Sequence, residues 1–201
     1  MNSTEDRRII RTKEAIRAAL VTLIEAKGFA ALSVKDITTK ANINRGTFYL
    51  HYKDKFDLLD QTLEEVIKDI EGIILKITAL STADFADTRI PTAIIVRLFQ
   101  YVDDNAALMQ AIMATKGNYA LQSKMKKLMW SNIFEKNCIS LVKREKMLVP
   151  GEYLASYIAS AHFGVIQEWL DRGRQESPEE MARILVNITF HGPLFAAGIF
   201  S

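Results

Sequence analysis

No proline occurs in the first 90 residues of this 201-residue chain, and only four occur in all, at Pro91, Pro150, Pro178 and Pro193. A many-stranded fold needs frequent proline and glycine turns, and the nine glycines do not make up the shortfall. What the chain offers instead is apolar residues at three- and four-residue steps, the period of an amphipathic helix. Ile9, Ile16, Leu20, Leu23 and Ile24 form one such stripe. Leu59, Leu63, Val66, Ile67, Ile70, Ile73, Ile74 and Ile77 form another. The expected fold is all-α.

Local signals mark where the helices start and stop. Gly28 follows a helix over residues 6–27, where a left-handed cap wants glycine. Ser33-Val34-Lys35-Asp36 is a capping-box variant that opens a short helix over 34–40. Asn42 tolerates the left-handed conformation of a tight turn, and Asn44 can cap a helix over 45–52. Asp54 then opens a long helix to residue 78, and residues 81–89 read as a loop. Helices over 91–103, 105–115, 118–147 and 152–171 follow, the last ended by Gly173. Ser177-Pro178-Glu179-Glu180 starts the ninth, which Gly192-Pro193 should break.

Composition narrows the class further. A single cysteine, Cys138, excludes an internal disulfide framework and fits a reducing compartment. The first six residues carry no signal-peptide pattern, and no apolar run approaches the ~20 residues that span a bilayer. The expectation is a cytoplasmic protein with no membrane contact. The net charge of +2 hides an asymmetry: residues 1–55 hold 11 Lys/Arg and 6 Asp/Glu, which leaves 15 and 18 for the remainder. The amino-terminal quarter is therefore net +5.

Two short helices joined by a four-residue turn, after a longer amphipathic one, have the layout of a helix-turn-helix unit. On a helical wheel Phe48 and Tyr52 fall together and must face the core. Gly46, Thr47 and Leu50 then face outward, flanked by Tyr49 and His51. Arg45 carries forked donors that suit a guanine edge, and Thr47 and Leu50 suit a thymine methyl. Gly46 permits close approach to a duplex. Ser33, Asn44, Tyr49, His51 and Lys55 are candidates for phosphates and for fixing the start of the reading helix. A capped basic hairpin can equally be a solvated corner, so this pattern alone leaves DNA binding open.

The ordered run Leu32-Ser33-Val34-x-x-Ile37-x-x-x-Ala41-x-Ile43-x-Arg45-Gly46-Thr47-Phe48-Tyr49-x-His51-Tyr52-x-x-Lys55-x-x-Leu58-Leu59, with Thr12, Ala19, Gly28 and Phe29 upstream, resembles the signature of the TetR (tetracycline-repressor) family. Asn42 and Asn44 depart from the family's usual turn glycine and Ser/Thr cap, both by residues with the same turn and cap chemistry. The resemblance implies a three-helix DNA-binding domain over 1–54 and a six-helix ligand-binding and dimerisation domain over 55–201. It implies that Arg45, Thr47 and their neighbours touch bases, while Ser33, Tyr49, His51 and Lys55 hold phosphates. The expected partners are a near-palindromic DNA operator, a second copy of the chain and a small-molecule effector. The expected setting is the bacterial nucleoid, and the expected role is a repressor, with an activator or partner-dependent regulator as the alternative. Trp169-Leu170-x-x-Gly173 and Ser177-Pro178-Glu179-Glu180-Met181-Ala182 look like the carboxy-terminal region of one branch of the family, common in low-GC Gram-positive bacteria.

The remaining residues carry no equally specific motif. Ala155, Ala159 and Gly164 are small residues at near four-residue steps, and Ile184, Leu185 and Ile188 give the last helix an apolar face. Together they are the candidate dimer interface, or else they close their own domain. Phe99, Met109, Met113, Trp130, Phe134, His162 and Phe163 are candidates for an apolar effector pocket, or else ordinary core. His162, His191 and Cys138 lack metal-ligand spacing, so no metal or other cofactor is expected. A small all-helical enzyme is the remote reading; no nucleophile is paired with a base, and Asp103-Asp104 is the one tight acidic pair outside caps.

Overall fold

The computed structural model describes residues 3–75, 89–114, 117–131 and 146–199. Among the described residues there are ten helices and no strand. They are α1 (Ser3–Lys27), α2 (Val34–Lys40), α3 (Arg45–Tyr49), α4 (Lys55–Ile74), α5 (Arg89–Asp104), α6 (Ala106–Ala114), α7 (Gly117–Trp130), α8 (Gly151–Asp171), α9 (Pro178–His191) and α10 (Pro193–Ala196). Phe134, Cys138 and most of the expected 81–89 loop lie outside the described residues, as do residues 132–145 of the expected 118–147 helix. No described helix is long and apolar enough to cross a membrane.

The chain forms two compact units, Met1–Glu65 with Ala107–Gly117, and Val66–Ala106 with Asn118–Ser201. In the first, α1 packs on α2 and α2 on α3. Ile16, Leu20, Ile37, Phe48 and Leu58 are fully buried there, with Phe29, Leu32, Tyr52 and Leu59 beside them in the core. The caps decide where these helices begin. Ser33 Oγ accepts the Asp36 N–H at 3.2 Å, and the Asp36 carboxylate accepts the Ser33 N–H at 2.9 Å. At the far end, Gly28 takes φ +74° and donates to the Ile24 carbonyl at 2.8 Å, so the chain leaves α1 through a conformation that glycine holds without strain. Asp54 Oδ1 accepts from the Phe56 and Asp57 N–H groups and starts α4.

α3 is shorter than the expected 45–52. The Phe48 carbonyl accepts both the His51 and the Tyr52 N–H at 3.0 Å, so the helix tightens and stops after Tyr49. Shared carbonyls of this kind are common at helix ends. The inward pair survives the shortening. Phe48 is fully buried, Tyr52 nearly so, and their rings lie 5.5 Å apart.

In the second unit α9 lies along α5 and also meets α8. Trp169 is buried edge-on against Phe99 at 5.2 Å and donates its indole N–H to the Glu176 carbonyl at 3.0 Å. The turn after α8 runs through two left-handed residues, Gly173 (φ +77°) and Arg174 (φ +57°). The Arg174 guanidinium pairs with the Asp103 carboxylate at the end of α5, and the Ser177–Glu180 capping box opens α9. Pro193 breaks the last helix, as expected: Gly192 (φ +85°) separates α9 from α10.

Three residues of the expected dimer interface require correction. Ala155 and Leu185 are fully buried and Ala159 nearly so, all within the chain itself. Ala155 and Ala159 of α8 therefore face the interior of their own chain. Gly164 and Ile184 remain exposed, and Ile188 partly so. The outward face of α8 carries Tyr153 and Tyr157 instead, and Ile184, Phe190, Leu194 and Phe195 add exposed apolar surface along α9 and α10, with Ile199 just after them.

The candidate pocket residues are distributed between the two units. Met109 and Met113 cluster with the first, and Phe99, Trp130, His162 and Phe163 with the second. Phe99, Met109, Met113 and Phe163 are buried core residues. Trp130 borders an open hollow of about 450 Å³ with residues 147–152. His162 Nε2 lies 3.0 Å from Thr189 Oγ1. The Thr189 hydroxyl already donates to the Leu185 carbonyl at 2.7 Å, so the imidazole N–H is the donor in the histidine–threonine contact. Burial pushes the pKa of His162 down to about 4, which keeps it neutral.

Candidate nucleic-acid interface

The exposed face centres on α3. Asn44, in an extended conformation, caps the helix by accepting the Gly46 N–H at 3.2 Å. The turn before it needs a left-handed residue, and Asn42 supplies it at φ +52°. These two local features aim α3 with its first residues outward. Arg45, Gly46, Tyr49 and Leu50 are exposed and Thr47 is half-buried. Leu50 is 80% exposed, which costs an isolated protein apolar hydration and gains it nothing. Arg45 Nη2 reaches Tyr49 Oη at 3.4 Å, so the guanidinium lies along the outer side of the helix. An added Cβ at Gly46 would meet only Asn44 Oδ1, at 4.0 Å. Packing inside the chain therefore does not demand glycine there.

The residues expected at phosphates differ in what they have free. Tyr49 presents its ring outward and contacts Phe48 edge-on at 5.5 Å. His51 is half-buried in the turn after α3, with its ring 6.2 Å from Tyr52. The Ser33 hydroxyl donates to Asp36 Oδ2 at 2.6 Å. That hydrogen bond, the nearby Lys27 ammonium and the Ser33 N–H together hold the Asp36 carboxyl far below its ordinary range.

Lys55 is the most committed of them. Its ammonium donates to the carbonyls of Phe29 at 3.2 Å, Ala30 at 3.0 Å and Leu32 at 2.8 Å. It also lies 5.0 Å and 5.3 Å from the centres of the Phe29 and Phe56 rings. An ammonium has three hydrogens, and three carbonyls take them, so this arrangement leaves none for a phosphate. Lys55 instead ties the first turn of α4 to the link between α1 and α2.

A second basic surface went unnoticed in the sequence. Arg7, Arg8 and Arg11 line a hollow of about 410 Å³ with Thr12, Ala15 and Ile43. Ile43 is the residue before the α3 cap. The charge count gave the sign of this region but not its place. Helical spacing of 7, 8, 11, 12 and 15 was the available signal, because those positions share one face of α1.

Comparison with known proteins agrees with this geometry. The profile described as "Bacterial regulatory proteins, tetR family" matches residues 16–62, and that described as "Transcriptional regulator C-terminal region" matches residues 91–191. The uncharacterized HTH-type transcriptional regulator YxbF of Bacillus subtilis is 41% identical over 66 residues. That match covers 32% of this chain and 17% of YxbF's own length. A putative TetR-family transcriptional regulator from Syntrophomonas wolfei shares the fold, with a TM-score of 0.72 at 19% identity, over 94% of this chain and 96% of that one. SmeT, the repressor of the Stenotrophomonas maltophilia multidrug efflux pump SmeDEF, aligns with a TM-score of 0.66 at 18% identity, over 94% of this chain and 93% of its own. The match of residues 16–62 to the amino-terminal profile, together with a carboxy-terminal match over 101 residues, places this chain in the TetR family of bacterial transcriptional regulators.

Proposed function

We propose that the protein is a dimeric DNA-binding transcriptional regulator that reads a near-palindromic operator through α3. The observation that carries the reading is the outward set of Arg45, Gly46, Thr47, Tyr49 and Leu50. Leu50 is a large apolar residue left in water, and Gly46 is a glycine that the chain's own packing does not need. Both make sense against a major groove, where a leucine meets a thymine methyl and a bare backbone allows close approach. One head covers only a few base pairs, so useful specificity needs two, and two-fold symmetry makes the operator near-palindromic.

The dimer surface is assigned to the exposed face of α8 and α9, centred on Tyr153, Tyr157, Gly164, Ile184 and Ile188. Residues 1–54 are the reading head and 55–201 the regulatory part, the latter responding to a small molecule among the middle helices. Phe99, Trp130, His162 and Phe163, all in the second unit, are the side chains offered for that pocket. α4 contributes residues to both compact units, so it is the element through which such a response reaches the head. SmeT is a repressor, and repression in the bacterial cytoplasm is the role proposed here.

A gel-shift titration on the DNA upstream of the protein's own gene tests the proposal. Arg45→Ala and Tyr49→Phe should fold and dimerise normally but bind that DNA more weakly. Unchanged affinity in both variants would remove α3 as the reading helix. A reporter fused to the same DNA gives the sign of regulation, lower with the protein present for a repressor and higher for an activator.

A further inference from the structure

We propose that Arg7, Arg8 and Arg11 form a second DNA-contacting surface, which grips backbone phosphates beside the half-site read by α3. The inference rests on the DNA reading above and adds a site to it. All three arginines are exposed on one face of α1 and line a hollow together with Thr12, Ala15 and Ile43. Among the side chains described in the first unit, Arg17 pairs with Glu65 and Lys27 with Asp36, and no described carboxylate pairs with Arg7, Arg8 or Arg11. Arg7 and Arg11 stand four residues apart on α1 and Arg8 and Arg11 three apart, spacings at which like charges repel one another. An anion relieves that repulsion, and the guanidinium fork fits two oxygens of one phosphate.

The position selects DNA as the source of that phosphate. Ile43, in the wall of the hollow, is followed directly by Asn44, the cap of α3. The arginines therefore flank the start of the helix whose first residues face outward. Apolar Ala15 and Ile43 give the arginine stems a surface to lie on while the heads stay free. Phosphate contacts fix register and carry no sequence information. This surface should accordingly strengthen binding without changing which sequence is preferred.

The test uses the full-length protein and a duplex of about 30 base pairs that the wild type enriches from a randomised pool, together with a copy trimmed outside the recognised motif. Each neutralised phosphate adds about 0.9 to the slope of log affinity against log salt. The variant Arg7→Ala/Arg8→Ala/Arg11→Ala should bind the long duplex roughly 10- to 100-fold more weakly near physiological salt, with a slope shallower by about 2–3 per subunit. Trimming should weaken the wild type and leave the triple variant nearly unaffected, and both proteins should enrich the same motif. Alanine at exposed helical positions favours the helix, so circular dichroism and melting should be unchanged. An unaltered slope and equal sensitivity to trimming would overturn this inference alone. A different motif for the variant would overturn it too, because the arginines would then be reading bases. If the wild type enriches no sequence, the DNA reading itself fails and this inference with it.

Discussion

Replacing Lys55 by methionine separates two roles that a lysine can have at this position. Methionine keeps most of the stem's packing and removes the ammonium. Three carbonyls then lose their donor, those of Phe29, Ala30 and Leu32. The Ala30 bond is exposed, so water replaces it at little cost. The Phe29 and Leu32 bonds are part-buried, and a buried carbonyl stripped of its partner costs about 1–3 kcal/mol. The contacts with the Phe29 and Phe56 rings add about 0.5–1 kcal/mol each. Partial rehydration trims the sum, which leaves a destabilisation of about 2–4 kcal/mol. For a chain of this size that lowers the melting temperature by roughly 5–15 °C. Urea unfolding followed by circular dichroism measures it. Below the melting point the variant should keep the wild-type salt slope for DNA, since no phosphate contact has gone. A stability loss under about 0.5 kcal/mol, accompanied by a slope shallower by about one, would refute the reasoning and return Lys55 to a phosphate.

The other predictions concern single side chains. Gly46→Ala should leave the fold as stable or up to about 1 kcal/mol more stable, because alanine favours the helix and the site has room. It should nevertheless weaken operator binding in a gel shift; equal or tighter binding would mean that no partner approaches there. Tyr157→Glu places a charge on the exposed face of α8 and should shift the protein from dimer to monomer in sedimentation; an intact dimer would put the interface elsewhere. His162 has its folded pKa depressed from 6.5 to about 4, so the unfolded chain binds the proton first and stability falls as pH drops from 6.5 toward 4. Between pH 7 and pH 5 the loss from this group is about 2 kcal/mol. Urea titrations at the two pH values should show that the wild type loses more than His162→Gln; equal losses would contradict the burial of the imidazole.

The features legible in the sequence are those set by neighbours within four residues. Ser33 and Asp36, and Ser177 and Glu180, close capping boxes across three residues, and both boxes form. Asn42 takes the left-handed turn and Asn44 the cap, because each choice depends on one residue's own backbone. Phe48 and Tyr52 turn inward by helical spacing alone. Lys55 was not legible, because its partners lie 23 to 26 residues earlier and only the folded head brings them to it. Its aromatic neighbours, Phe29 and Phe56, were a signal that spacing did not connect. The face of α8 was misread for a related reason. Small residues mark a helix surface that something approaches closely, but they do not say whether the approaching element belongs to the same chain. Ala155 and Ala159 meet their own chain, while the bulky Tyr153 and Tyr157 are left outside.

The central claim is that α3 reads bases through its first residues. Selection from a randomised DNA pool, run in parallel with the wild type and Arg45→Ala, tests it most directly. The wild type should enrich a two-fold symmetric motif. Arg45→Ala should enrich the same motif with the preference lost at one base pair in each half-site, at a cost of about 1–3 kcal/mol in affinity. An identical motif from both proteins, or no motif from the wild type, would contradict the account.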